Sequence, residues 1–247
     1  MNVRGIIFDI NGTLVDINTN EGNEEIYRAI SHYLKYQGIN IHRWPLRDLY
    51  FQVMSEQRKG SGEEFPEFDT VALWAEVLHR LLEGSPVTLP KPKLAFMPLF
   101  LSEMYRGISL NRLELYPEAR AVLDELAPRF KLAALTDGQS AWAVPEMRAV
   151  GIADYFQPII VSGDFGFRKP DARLFARTLA KMRLAPQEVL FVGNDMYRDV
   201  YGAKAQGLKT VFFSSNQGQR QMDGVAPDYI IYNLGELRQA VRFFQER

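Results

Sequence analysis

Cysteine is absent from the 247-residue sequence. Its absence excludes disulfide bonds, thiolate metal sites and thiol catalysis. A chain without thiols suits a reducing compartment, so we expect a cytoplasmic protein.

The sequence also lacks an excess of charge of one sign, and it lacks long apolar runs. The 29 basic residues almost balance the 30 acidic ones, which gives a formal net charge of −1. No strong field is therefore available to hold nucleic acid or an anionic membrane surface. No apolar run approaches the roughly 20 residues of a transmembrane helix, and the apolar stretch near Met1 is too short for a signal peptide. We expect a soluble globular protein that acts on a small molecule.

What is present is a repeated pattern of apolar runs followed by polar residues. A chain of this length, 47% hydrophobic, is long enough for one or two domains. The apolar runs predicted as strands are residues 3–8, 130–135, 158–161, 189–192, 209–213 and 229–232. Helical periodicity lies between them, for example at 117–128 and 171–182. This alternation predicts an α/β fold with a doubly wound, mostly parallel sheet.

A long helical segment interrupts the alternation directly after the first strand. Residues 23–105 contain no convincing strand and divide at glycine-containing breaks into about four helices. Ligands of such sheets bind outside the carboxyl ends of the strands. We therefore expect residues 19–109 to form an all-helical cap domain over a core domain built from residues 1–18 and 110–247.

Polar residues of several chemical types follow these strands. Asp9 follows the first run, Thr136 the second, Lys169 the third, and Asn194 with Asp195 the fourth. Any one loop aspartate has an ordinary explanation as a turn former or helix cap. Taken together, an acidic nucleophile, a hydroxyl, an ammonium and an Asn/Asp pair suit a site that acts on an anionic group.

Four short motifs that contain these residues resemble those of the haloacid dehalogenase-like (HAD) hydrolase superfamily. The motifs are Asp9-Ile10-Asn11-Gly12-Thr13-Leu14, Leu135-Thr136-Asp137-Gly138, Arg168-Lys169-Pro170-Asp171 and Gly193-Asn194-Asp195-Met196-Tyr197-Arg198-Asp199. Each motif alone is weakly specific, but together they occur in the family's order across nearly the whole chain. The helical segment after the first motif is similar to the family's cap.

The resemblance implies a hydrolase with a covalent aspartyl intermediate. Asp9 would attack the electrophilic centre, which splits one displacement into two. Thr136 and Lys169 would bind the transferring group and offset its charge, with Asp137 and Gly138 beside them.

Phosphatases of this family use Mg²⁺ as a cofactor. The ion is held by the nucleophile, by the main-chain carbonyl two residues further on, and by an acidic residue of the fourth motif. These positions correspond to Asp9, Asn11 and the Asn194/Asp195 pair. Oxygen ligands of this kind suit Mg²⁺.

The sequence departs from the family pattern in each of these motifs except the third. Asn11 replaces an aspartate that serves as general acid and base, and a carboxamide cannot carry that proton. The loss of such a group typically lowers the rate by about 10²–10⁴-fold. Asn194 stands where aspartate is common, and Asp137 stands where asparagine is common.

Three functions are compatible with this pattern. We favour a Mg²⁺-dependent phosphatase or phosphotransferase that acts on a small phosphorylated metabolite. The second is a carbon–halogen hydrolase like the 2-haloacid dehalogenases, because a halide leaves without protonation. Those enzymes bind the halide with a cap arginine, for which the candidates are Arg28, Arg43, Arg47 and Arg58. The third is a catalytically weak binding protein, against which the intact Asp9 and Lys169 argue.

Overall fold

Residues 1–246 of the computed structural model contain eight β-strands and nine α-helices. The strands are β1 (Gly5–Phe8), β2 (Val15–Thr19), β3 (Leu110–Leu115), β4 (Lys131–Thr136), β5 (Ile159–Val161), β6 (Val189–Gly193), β7 (Lys209–Phe213) and β8 (Tyr229–Ile231). The helices are α1 (Glu24–Tyr36), α2 (Arg43–Gly60), α3 (Thr70–Leu82), α4 (Lys91–Ser109), α5 (Ala119–Leu126), α6 (Ser140–Ala149), α7 (Ala172–Met182), α8 (Gly202–Ala205) and α9 (Leu237–Gln245). None of the helices in this part of the chain is both long enough and apolar enough to cross a bilayer.

Six strands form one parallel sheet in the order β5-β4-β1-β6-β7-β8. β1 lies near the centre, where Ile7 pairs with Ala133 of β4 on one side and with Phe191 of β6 on the other. Each strand of this sheet coincides with a predicted apolar run, so the predicted α/β fold is confirmed. Because the strands are parallel, the carboxyl ends of β1, β4 and β6 meet at one edge, where three of the four motifs begin or end.

Both faces of the sheet are covered at its centre, which explains why every residue of β1 and β6 is apolar or glycine and buried. Ile6 and Phe8 of β1 belong to a core cluster that includes Val241 of α9. Ile7 belongs to a second cluster, together with Phe175 of α7. Successive side chains of a strand point to opposite faces. An unbroken apolar run therefore builds a strand that is buried on both sides.

Strands β2 and β3 form a separate antiparallel ribbon that flanks helices α1–α4. Val15 pairs with Leu115 at one end of the ribbon, and Thr19 pairs with Leu110 at the other. The apolar pattern does not predict this ribbon, because its strands are short, half polar and separated in sequence by the whole helical segment.

Helices α1–α4 pack around a core of their own that is rich in aromatic side chains. Tyr50 stacks on Tyr105 with ring centroids 4.6 Å apart, and Trp74 lies 5.1 Å from Tyr50. Four helices thus occupy the segment that the sequence predicts as helical. The division into a cap domain of residues 19–109 and a core domain stays a prediction, and the ribbon lies at both of its boundaries.

We expect Phe191→Ala to destabilise the fold, because Phe191 lies in a central strand, is 1% exposed and packs on Phe175 with ring centroids 5.4 Å apart. Removal of a buried phenyl ring typically costs about 3–5 kcal/mol. The free energy of unfolding in urea should fall by that amount. Phe96→Ala is the matched control, since Phe96 is 55% exposed, and its effect should stay below about 1 kcal/mol. Equal losses in the two variants would contradict this description of the core.

Candidate active site

Asp9 lies directly after β1, and its backbone N–H donates to the Val192 carbonyl of β6. The residue is 5% exposed. Its Oδ1 accepts a hydrogen bond from Lys169 Nζ at 2.7 Å, and its Oδ2 accepts one from Thr13 Oγ1 at 2.8 Å. Two donors therefore fix the orientation of this carboxylate.

A tight turn after Asp9 brings Thr13 back to it. The Thr13 N–H donates to the Ile10 carbonyl at 3.2 Å. Gly12 has a φ of +84°, and a Cβ at this position would lie 2.3 Å from Asn194 Nδ2. Glycine is therefore required both for the backbone conformation and for the close contact between the first and fourth motifs.

Lys169 is buried between two carboxylates. Its Nζ donates to Asp9 Oδ1 and to Asp199 Oδ1, both at 2.7 Å, and to the Leu135 carbonyl at 3.2 Å. All three donors of the ammonium are thus satisfied. Burial opposes its charge, but Asp199 and Asp9 outweigh burial and raise the pKa of Lys169 above its usual range. Lys169 is therefore a fixed positive charge beside Asp9.

Asp199 is a residue of the fourth motif to which the sequence alone assigns no role. Its Oδ2 accepts hydrogen bonds from the backbone N–H groups of Asn194 and Asp195, both at 3.0 Å. A π-helix at Met196–Tyr201 returns Asp199 to this loop. Burial raises the pKa of Asp199 to about 7, although the Lys169 ammonium acts in the opposite direction. The fourth motif includes Asp199 and so points to it, but the contacts of Asp199 depend on the π-helical turn, which the sequence does not predict.

Asn194 and Asp195 are neighbours with different contacts. Asn194 Oδ1 lies 3.1 Å from Thr13 Oγ1, the hydroxyl that also contacts Asp9. Both oxygens of Asp195 instead accept hydrogen bonds from the start of the π-helix and from the Arg198 guanidinium. Burial opposes the charge on Asp195, but the donors of Arg198 outweigh burial and lower its pKa. Asn194 thus approaches Asp9, whereas Asp195 caps a helix.

The second motif lies at the end of β4 and is tied to neighbouring loops. Thr136 is buried, and its Oγ1 lies 3.5 Å from the Asp137 carbonyl. Asp137 Oδ1 accepts a hydrogen bond from the Lys169 N–H at 3.0 Å. The Gly138 N–H donates to Ser162 Oγ at 2.9 Å. These bonds fix the second motif relative to the loop that carries the cation.

The second carboxylate oxygen of Asp137 has no such bond. Its Oδ2 is buried and has no hydrogen-bond partner among residues 1–246. Arg198 Nη1 lies 3.8 Å away, which is too far for a hydrogen bond. Burial raises the pKa of Asp137, although Lys169 and Arg198 act in the opposite direction. A buried polar atom without a partner costs free energy and therefore calls for a functional explanation.

A cleft of about 360 Å³ lies between the strand ends and the helical segment. Asn11, Asp137 and Gly138 line it from the first two motifs, Arg58 lines it from α2, and Trp142 lines it from α6. Asn11, Asp137 and Gly138 are thus the predicted site residues that line the cleft. The other five are buried and do not line it: Asp9, Thr136, Lys169, Asn194 and Asp195.

The connection between α2 and α3 holds the helical segment against the motif loops. Its Glu67 N–H donates to the Gly166 carbonyl at 2.9 Å. Gln139, which precedes α6, donates its Nε2 hydrogen to the Phe68 carbonyl at 2.6 Å. One backbone hydrogen bond and one side-chain-to-backbone hydrogen bond therefore tie this connection to the loops of the third and second motifs.

Of the four arginines considered for a halide site, Arg58 lines the cleft. Arg28, Arg43 and Arg47 form ion pairs with acidic side chains of α1 and α2. Arg58 also forms an ion pair, with Glu67 at 3.6 Å, so its place in the cleft lining is what distinguishes it. The structure therefore reduces the candidates to Arg58.

Comparison with known proteins supports the resemblance of the motifs. The family model described as haloacid dehalogenase-like hydrolase matches residues 3–207. A glyceraldehyde 3-phosphate phosphatase of Pyrococcus abyssi (strain GE5 / Orsay) is 30% identical over 216 residues, which are 85% of this chain and 81% of that protein. A phosphoserine phosphatase of Thermus thermophilus is 37% identical over 129 residues, so the chain spans about half of its length, 51%. The solved 2-haloacid dehalogenase of Pseudomonas syringae pv. Tomato DC3000 has the same fold, with a TM-score of 0.72, 21% identity and coverage of 98% and 99%.

We expect Lys169→Met to destabilise the protein, because it leaves the Asp9 and Asp199 carboxylates buried without their shared cation. Loss of one partner of a buried ion pair typically costs about 3–5 kcal/mol. The loss should be smaller at pH 5 than at pH 8, because burial already raises the pKa of Asp199 to about 7, and its protonation at low pH removes a charge that Lys169 would otherwise balance.

Urea unfolding of Lys169→Met at the two pH values tests this expectation. Lys209→Met is the matched control, because Lys209 pairs with Asp228 at the surface and is 53% exposed. That change should lower the free energy of unfolding by less than about 1 kcal/mol. A loss in Lys169→Met no larger than in the control would show that the buried ion pairs do not stabilise the site.

Proposed function

The chain belongs to the haloacid dehalogenase-like hydrolases, and we propose that it is a phosphatase for small phosphorylated metabolites. The observation that carries this proposal is the buried pair of Asp9 and Lys169, a carboxylate nucleophile beside a fixed cation. Relatives that bear phosphatase names, for glyceraldehyde 3-phosphate and for phosphoserine, support it. The volume of the cleft, about 360 Å³, suits a small substrate.

In this proposal Asp9 attacks the phosphorus atom and carries the phosphoryl group until water releases it. Lys169 offsets the negative charge of the transferring group. Thr136 donates its hydroxyl hydrogen to a phosphoryl oxygen. This hydrogen is available, because its contact with the Asp137 carbonyl, at 3.5 Å, is too long for a strong hydrogen bond. Asp199 is a positioning residue, because it holds Lys169 through an ion pair and does not itself touch the substrate.

Mg²⁺ is the cofactor that the family implies, and we propose that Asp9, the Asn11 carbonyl and Asn194 hold it. These donors fit, because all three are hard oxygen atoms, and Asp9 and Asn194 contact the same Thr13 hydroxyl. Asp195 is left out because it caps the π-helix and is paired with the Arg198 guanidinium, whereas Asn194 approaches Asp9 through the Thr13 hydroxyl. Within residues 1–246 no three His, Cys, Asp or Glu side chains form a metal cluster, and the proposed ligand set contains a single carboxylate, that of Asp9. When bound, the ion would neutralise charge on the phosphoryl oxygens.

The position of Arg58 supports carbon–halogen hydrolysis as a second candidate. Arg58 lines the cleft, and its Nε has no hydrogen-bond partner in the described part of the chain. A guanidinium placed there suits a departing halide. Asn11 suits this chemistry too, since a halide needs no proton. The phosphatase is preferred because the relative that matches 85% of the chain bears a phosphatase name.

We expect Asp9→Asn to abolish phosphate release, because a carboxamide cannot form the acyl phosphate. The rate on a panel of phosphorylated metabolites with Mg²⁺ should fall by at least about 10³-fold, the scale of losing a nucleophile. Asp154→Asn is the matched control, since Asp154 is exposed and distant in sequence from the motifs, and it should release phosphate as the wild type does.

The same panel distinguishes the two candidates. Phosphate release that survives in Asp9→Asn would overturn Asp9 as the nucleophile. A wild type that releases no phosphate from any ester, but halide from 2-haloacids without added metal, would replace the phosphatase by the carbon–halogen hydrolase.

We expect Asn194→Asp to lower the Mg²⁺ concentration needed for half-maximal phosphate release, because it adds a negative charge to the ligand set. Ligand charge tunes such affinities by about tenfold or more. Removal of Mg²⁺ with a chelator should abolish turnover in both proteins. Asp195→Asn is the comparison variant and should leave the Mg²⁺ requirement unchanged. If it raises that requirement while Asn194→Asp has no effect, the ligand is Asp195.

A further inference from the structure

Hydrolysis of an alkyl phosphate requires a proton for the departing oxygen. In this chain Asn11 stands where the family has its general acid, and a carboxamide does not titrate in the range of pH at which enzymes work. Loss of general acid catalysis typically lowers the rate by about 10²–10⁴-fold. If the chain acts on alkyl phosphates, another group must supply this proton.

The cleft offers four carboxyl groups, Glu21, Glu67, Asp137 and Glu146. Glu146 forms two hydrogen bonds with the Arg106 guanidinium, so its charge is already paired. Glu21 is exposed, and water competes for any proton that it carries.

Glu67 belongs to the helical segment, and both of its oxygens are engaged. Its Oε1 accepts a hydrogen bond from the Phe68 N–H at 3.1 Å, and its Oε2 accepts one from Ser162 Oγ at 3.2 Å. Asp137 differs from Glu67 and Glu146, which are similarly buried, because its Oδ2 has no hydrogen-bond partner in the described chain.

Asp137 is also held in a fixed orientation. Its Oδ1 accepts the Lys169 N–H at 3.0 Å, which leaves Oδ2 as the free oxygen. It directly follows Thr136, the residue proposed to bind a phosphoryl oxygen. A carboxyl group at this position therefore lines the cleft and contacts the backbone of Lys169, the residue proposed to offset the charge of the transferring group.

The charged groups that act on Asp137 come from four parts of the chain. Lys169 and Arg198 favour its ionised form, whereas Asp9 and Glu67 disfavour it. Burial is the largest effect and raises the pKa of Asp137. A carboxyl group with a raised pKa holds a proton closer to neutral pH than an ordinary aspartate does.

We propose that Asp137 is the general acid and base of this enzyme, in place of residue 11. This inference rests on the proposed phosphatase function. As the bond from Asp9 to phosphorus forms and the bond from phosphorus to the leaving oxygen breaks, Asp137 gives its proton to that oxygen and an alcohol departs. The Asp137 carboxylate then takes a proton from water, whose oxygen attacks phosphorus and releases Asp9. Phosphate leaves, and Asp137 is again protonated.

The test compares two esters of similar size, ethyl phosphate and acetyl phosphate. Ethoxide is a poor leaving group and needs a proton, whereas acetate leaves without one. The quantity measured is kcat/KM with Mg²⁺, because it reports the steps up to the first irreversible transfer. Asp137→Asn should lower kcat/KM for ethyl phosphate by about 10²–10⁴-fold and for acetyl phosphate by less than about tenfold. The asparagine oxygen can still accept the Lys169 N–H, so the fold and the position of Lys169 are kept.

A double variant separates proton transfer from positioning. Asn11→Asp/Asp137→Asn moves the carboxyl group to the position at which the family has it. This variant should regain at least tenfold in kcat/KM for ethyl phosphate relative to Asp137→Asn. In the wild type the ratio of ethyl to acetyl phosphate rates should fall as the pH rises and Asp137 loses its proton, and in Asp137→Asn this ratio should not depend on pH.

Any of the following outcomes would overturn the inference. Equal losses on the two esters mean that Asp137 only positions Lys169, and no loss on either means that it has no catalytic role. A selective loss on ethyl phosphate in Glu67→Gln, with none in Asp137→Asn, assigns the proton to Glu67. If the wild type releases phosphate from neither ester and from no metabolite, the proposed phosphatase function itself is wrong. If the wild type is active and Asp137→Asn is equally active, only the role of Asp137 is wrong.

Discussion

The buried ammonium of Lys169 is the interaction on which the rest of the site depends. A charge inside a protein is tolerated only if it is paired and hydrogen-bonded, and Lys169 meets this condition with Asp9, Asp199 and the Leu135 carbonyl. These partners lie after β1, in the π-helix after β6 and in β4. A single side chain therefore joins three strand ends, and any shift of one strand relative to another would leave a charge without its partner.

The convergence of the motifs could be predicted from the sequence, because parallel strands bring their carboxyl ends to one edge. The contacts within the fourth motif could not be predicted from the sequence. Asn194 and Asp195 look equivalent as oxygen donors, but a π-helix begins directly after them, so Asp195 serves as its cap while Asn194 turns toward Thr13. The same turn directs Asp199 to Lys169. The β2–β3 ribbon was also missed, since it depends on pairing between distant, half-polar segments rather than on a local apolar pattern.

Residues of the helical segment and residues of the motif loops both line the cleft. The connection between α2 and α3 pairs with the loop before Lys169 through the backbone of Glu67 and Gly166, so the helices are held by the same loop that positions the cation. Arg58 and Arg106 line the cleft, but Arg106 is neutralised by Glu146. Arg58 pairs with Glu67 at the longer distance of 3.6 Å and has an Nε without a hydrogen-bond partner in the described chain, so it is the cleft arginine better placed to bind a substrate in either candidate reaction.

The exchange of charge between positions 11 and 137 has a physical consequence. Relative to the family pattern, one carboxyl group is removed two residues after the nucleophile and another appears in the second motif, and both positions line the same cleft. Asp137 is hydrogen-bonded to the backbone of Lys169, so the proposed proton donor and the buried cation are held as one unit. With Asn at positions 11 and 194, fewer negative charges surround Asp9, which weakens the attraction for Mg²⁺ but also reduces repulsion of an anionic ester. In the proposed phosphatase such a site would rely on Lys169, rather than on the metal alone, to balance the charge of the phosphoryl group.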